Sequence, residues 1–114
     1  MTMDLFTDRL ARVRHRFVST LEGKLGNAYA AIPALASDAP AVAETYRCMH
    51  GIVGIGPAVG FPATGRAAHE VEAVLRLPQQ AKRGLTEQEI IALTKRLDVL
   101  REAAARELQV FYSA

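Results

Sequence analysis

Three histidines (His15, His50 and His69) and one thiol (Cys48) are the side chains of this 114-residue chain best suited by type to nucleophilic or metal chemistry near neutral pH. His50 has the most distinctive setting. Read as a helix, the stretch from Val42 places Val42, Thr45, Met49, Ile52, Gly56 and Val59 on one apolar face, with His50 one residue further round. The face of His50 itself carries Arg47, Gly54 and Pro57, with Val53 adjacent, and Gly54 sets no side chain over the ring one turn on. The pattern exposes His50 and clears room beside it. A neutral imidazole keeps one ring nitrogen with a free lone pair, so such a residue can attack a phosphoryl donor brought by a second protein without a separate base. The same spacing also fits an ordinary surface histidine ahead of a glycine-rich stretch, and spacing alone does not separate the two.

Other chemistries fare worse. Cys48 and His50 are two residues apart and cannot face one point on a helix, so with His69 and Glu72 they do not make a metal cage, and no metal or cofactor is expected. Arg9, Arg12, Arg14, His15 and Arg16 form a basic cluster, but Asp4, Asp8 and Glu22 flank it. It reads as a solvated face rather than a nucleic-acid site. No glycine-rich phosphate loop joins a strand to a helix, which argues against ATP binding and autonomous kinase activity.

The elements that must position these residues are all helical. A first stripe runs Leu10, Val13, Phe17, Leu21, Leu25, Ala28, Ile32, Leu35 in steps of three and four, with Pro33 predicting a kinked or frayed last turn. Met3 to Phe6 can form a short separate helix ahead of it. Asp38 then reads as an N-cap and Pro40 as a first-turn residue of the second helix. That helix is predicted to continue through its dense glycines and Pro57 to a stop at Gly60, although each glycine costs about 1 kcal/mol and proline about 3. Such a concentration of poor helix formers needs a packing or access reason, unless the helix ends early. Pro62 opens a third helix through Leu77, with Phe61, Gly65, Ala68, Val71 and Leu75 inward, and residues 78–84 form a loop. Thr86 and Glu89 make a capping box for a fourth, which turns Ile90, Leu93, Leu97, Leu100, Ala104, Leu108 and Phe111 inward. Four amphipathic helices with short links predict an all-α, up-down antiparallel four-helix bundle, one domain over residues 1–114.

The segment from Tyr46 to Phe61 resembles the signature of histidine-containing phosphotransfer domains: a histidine (His50), a glycine four residues on (Gly54) and another ten residues on (Gly60). It is most similar to the N-terminal phosphotransfer domain of chemotaxis histidine kinases. There a histidine and a glutamate follow nineteen and twenty-two residues after the phosphorylated histidine, places held here by His69 and Glu72. The likeness is specific over about residues 42–77. It implies that His50 accepts the phosphoryl group, that Glu72 takes a hydrogen bond from Nδ1–H and orients the ring, and that His69 joins the network. It also implies a carrier rather than an enzyme, with a response-regulator receiver and a hybrid or sensor kinase as partners. Arg47, Val53, Gly54 and Pro57 would then form the docking face. Val53 departs from the pattern, since many members carry lysine there to hold phosphoryl oxygens. That departure leaves open a non-catalytic helical module that binds and modulates a kinase or receiver.

Composition sets the remaining expectations. Half the residues are apolar, 23% are charged and Lys plus Arg exceed Asp plus Glu by 14 − 12 = 2, so net charge points to no class of partner. The single cysteine permits no internal disulfide, the N-terminal residues lack the apolar core of a signal peptide, and no apolar run nears the roughly 20 residues that span a bilayer. A cytoplasmic monomer with no membrane contact is expected.

Overall fold

In the computed structural model, which describes residues 2–113 and the side chains of 5–113, each apolar stripe is a helix: α1 (Thr2–Leu35), α2 (Ala39–Ile55), α3 (Pro62–Gln80) and α4 (Glu87–Ser113). Neighbours pack in ring order, α1 on α2, α2 on α3, α3 on α4 and α4 back on α1, giving the all-α four-helix bundle. The core is aliphatic: Leu21, Leu35, Val42, Met49, Ile52, Val71, Leu75, Leu93, Leu97 and Leu100 are fully buried. One aromatic contact joins its lower end, Phe17 meeting Phe61 edge-on at 5.2 Å. Among the described residues no buried side-chain nitrogen or oxygen lacks a hydrogen-bond partner, and no helix is long and apolar enough to cross a membrane.

Four expectations are corrected. No separate turn stands at Met3–Phe6: their backbone belongs to α1, which is continuous from Thr2. Leu10 and Val13 are not core residues but 42% and 45% exposed. The reason is length. At 1.5 Å per residue α1 spans about 51 Å and α2 only about 26 Å, so the first turns of α1 overhang the bundle. The turn at Ala58–Gly60 and the end of α4 border them on one side, with the Arg14 guanidinium over the Phe111 ring at 5.2 Å.

The third correction concerns the glycine-rich stretch. α2 ends at Ile55, a short 3-10 turn covers Pro57–Val59, and Gly60 closes it at φ 94°, a left-handed conformation that favours glycine. The apolar face nonetheless continues inward through Gly56 and Val59. Packing is the reason at Gly56 and Pro57, where a Cβ on Gly56 would lie 2.8 Å from the Ile52 carbonyl oxygen and one on Gly65 of α3 2.7 Å from the Pro57 ring, whereas Gly51 and Gly54 face open space. Fourth, α3 runs on to Gln80, past the Pro78 that was expected to start a loop. The carbonyls of Leu77 and Pro78 are used in the termination, accepting from the amides of Ala81 (2.9 Å) and Arg83 (3.1 Å), and Lys82 takes φ 52°.

The capping box forms. Glu89 N–H donates to Thr86 Oγ1 (3.2 Å), and Thr86 N–H donates to Glu89 Oε1 (2.8 Å), while Arg83 pairs both carboxylate oxygens at 2.8 and 3.1 Å. The Arg83 hydrogen bonds, followed by those of Thr86, hold the Glu89 carboxyl at about 2, well below the usual carboxylate range. A lowered folded-state pKa contributes stability that is present above the unfolded value and fades as pH falls toward the folded one. Glu89→Gln is therefore expected to lower the melting temperature at pH 6, with the gap from wild type closing between pH 4.5 and 2. Thermal unfolding by circular dichroism across that range checks it.

Candidate functional site

α2 begins as its sequence dictates, Asp38 accepting from the Ala41 amide at 3.2 Å with Pro40 in the first turn, and this start fixes which side chains face outward three turns later. His50 is one of them, its side chain 70% exposed. The core face beside it, Met49 and Ile52, is fully buried, so the backbone beneath the ring is anchored. At Gly54 an added Cβ would meet nothing within 4 Å, and the approach to the ring is open on that side. Tyr46, one turn earlier, lies nearly parallel to the imidazole, with centroids 6.1 Å apart and 12° between planes.

The partner of His50 comes from α3. Glu72 is turned inward, its side chain only 5% exposed, and its Oε2 lies 2.8 Å from His50 Nδ1. An ionised carboxylate only accepts, so Nδ1 carries the proton and donates it; in the neutral ring this leaves Nε2, on the far side, with its lone pair. Glu72 Oε1 accepts a second hydrogen bond, from Arg76 Nη2 at 3.3 Å. The carboxylate is thus buried but paired twice, once to the His50 ring and once to a permanent cation.

The remaining predicted residues divide. Arg47, Gly54 and Pro57 are exposed, whereas Val53 is partly buried against the core. His69 is exposed, and no hydrogen bond joins it to Glu72, both of whose oxygens are taken by His50 and Arg76. Cys48 lies half-buried in a groove between α1 and α2 with Lys24, Ala28 and Thr45, and burial pushes its thiol pKa up, away from reactivity. Among the described residues no cluster of three or more His, Cys, Asp or Glu side chains is placed to hold a metal ion.

Two contributors were not read from the sequence. Tyr46 is signalled only by its i−4 spacing from His50. Glu107, on α4, caps the start of α3: its carboxylate accepts from the amides of Ala63 (3.1 Å) and Thr64 (2.7 Å) and from the Thr64 hydroxyl (2.7 Å). Phe61, at the N-cap position, offers no side-chain acceptor, and nothing local in the sequence points to a residue more than forty positions away.

Neither a family model, nor a curated protein, nor a solved structure matches this chain. The geometry therefore stands on its own chemistry. A small-molecule site is normally a concavity that surrounds its ligand. A ring 70% exposed on a helix surface, oriented from beneath by a buried carboxylate, instead suits a reacting group carried in by another macromolecule.

Proposed function

We propose that this chain is a histidine phosphotransfer protein of a cytoplasmic two-component phosphorelay. It would accept a phosphoryl group on His50 from a kinase or receiver aspartate and pass it to a response-regulator receiver. The observation that carries the reading is the Glu72–His50 pair, a buried acceptor on Nδ1 combined with a ring 70% exposed. In the transfer the Nε2 lone pair forms the N–P bond while the P–O bond of the aspartyl phosphate breaks and the aspartate leaves as carboxylate. Nε2 has no proton to lose. The ring becomes cationic on phosphorylation, and the Glu72 carboxylate, already bonded to Nδ1–H, stabilises that charge without rearrangement. The reverse step regenerates the neutral ring.

The test is labelling. Incubation with a receiver domain carrying labelled aspartyl phosphate should move label to this chain as an acid-labile, base-stable adduct, and a panel of receivers that leaves it unlabelled would sink the proposal. Glu72→Ala should slow uptake roughly 10- to 100-fold. That is less than the ~10⁴ lost on disabling a triad aspartate, because water can partly solvate this exposed ring. The fold should survive, since both partners of Glu72 are exposed enough to be rehydrated and no unpaired charge is left buried. Stopped-time labelling beside a melting curve separates the two effects.

Val53 favours a second reading. It places an apolar side chain, partly packed on the core, one turn from His50 where a cation would help to hold phosphoryl oxygens. In that reading the chain is a non-catalytic module that binds and modulates a kinase or receiver through the same face. Receiver binding unchanged by His50 substitution, without transfer, would support it.

A further inference from the structure

A buried carboxylate whose sole partner is a neutral imidazole has two ways to lower its energy, and both spoil the nucleophile. It can take up a proton and donate it to Nδ1, which selects the tautomer with hydrogen on Nε2. Or it can draw a second proton onto the ring, and an imidazolium has no lone pair on either nitrogen. Glu72 is 5% exposed and faces this choice. Arg76 removes it. Its guanidinium stays charged at any physiological pH and sits 3.3 Å from Oε1, the oxygen His50 does not use, so the carboxylate charge is balanced whether or not the ring is protonated. The pair is i,i+4 on one helix, so the cation keeps its place while a receiver approaches the outer face of His50.

We infer that Arg76 is a positioning residue for His50. It acts through Glu72, keeping the carboxylate ionised and the ring neutral with its proton on Nδ1. It supplies the cation of the site from α3, behind the carboxylate, where Val53 supplies none from α2. The inference deepens the phosphotransfer reading and rests on it for its purpose, but its test does not need transfer to occur.

Nitrogen-15 spectra of the histidine rings at neutral pH provide the readout. The wild-type ring of His50 should show one protonated nitrogen, Nδ1, and one unprotonated nitrogen, Nε2. Arg76→Met should lose that signature, with Nε2 becoming largely protonated through either the other tautomer or the imidazolium, while helicity and melting temperature stay near wild type. Arg76→Lys, which restores a cation, should recover most of it. Arg76 is 46% exposed, so these variants should fold, and Arg76→Gln offers a neutral donor of similar length as a third case that should behave more like Met than Lys. An unchanged ring signature in both Met and Gln variants would overturn the inference. In a phosphoryl-competent protein the Met variant should also take up label about tenfold more slowly. Wild-type protein that shows the Nδ1–H ring yet takes no label from any receiver would defeat the carrier reading and leave the role of Arg76 in setting the tautomer intact.

Discussion

On the proposed phosphotransfer reading, His50→Gln is expected to abolish phosphoryl uptake altogether, in a protein that remains folded. Glutamine is close to histidine in reach and can still donate an amide N–H to Glu72, so the buried carboxylate keeps its partner and the α2–α3 contact survives. What glutamine lacks is a nitrogen with an available lone pair, its amide nitrogen being delocalised into the carbonyl. The expected loss is therefore total within detection rather than graded. With 70% of the side chain in solvent, the change in stability should stay within about 0.5 kcal/mol. Autoradiography after exposure to a phosphorylated receiver measures the first and thermal melting the second. Equal labelling of the variant would move the acceptor elsewhere, with His15 and His69, both exposed, the next residues to replace.

The physical basis of what sequence can and cannot show is visible in these same residues. Asp38, Pro40, Thr86 and Glu89 act within one turn of themselves, and their capping roles are legible because local chemistry decides them. The aliphatic stripes of α2, α3 and α4 likewise follow from period alone, and Leu93, Leu97 and Leu100 are buried as a 3.6-residue repeat requires. Period says nothing of whether a partner helix exists opposite, which is why Leu10 and Val13 continue the stripe of α1 into solvent. Propensity fails at Pro78 because its burial offsets the lost hydrogen bond to Val74 and the crowding of that carbonyl, and the helix ends two residues later. At the candidate site, the contact between His50 and Glu72 was reachable through the spacing of the histidine signature. The pairing of Glu72 with Arg76 is an i,i+4 spacing on one helix and so equally legible, but only three dimensions show that the carboxylate has room for both partners at once.

Glu107 is the extreme case of a role that spacing hides, and removing it should produce the largest loss of stability. The first turn of α3 has amides at Ala63 and Thr64 that the helix cannot satisfy and no side chain at Phe61 to receive them. The Glu107 carboxylate takes both, together with the Thr64 hydroxyl, and Thr64 is fully buried. Its negative charge at a helix N-terminus adds a favourable interaction with the helix dipole. Glu107→Ala removes the cap on these amides, worth about 1 kcal/mol, and strands the buried Thr64 hydroxyl, which costs about 1–3 kcal/mol unless water reaches it. A net loss of about 2–4 kcal/mol follows, on the order of 10 °C in melting temperature for a domain of this size. Glu107→Gln keeps one acceptor oxygen and loses the charge, so it should fall between alanine and wild type. Thr64→Val in the Glu107→Ala background should recover part of the loss, because it removes the stranded hydroxyl rather than its partner. Non-additivity of that sign in the double-mutant cycle measures the hydroxyl contact, and a Glu107→Ala melting temperature equal to wild type would mean that the carboxylate on α4 is a surface charge and not the cap of α3.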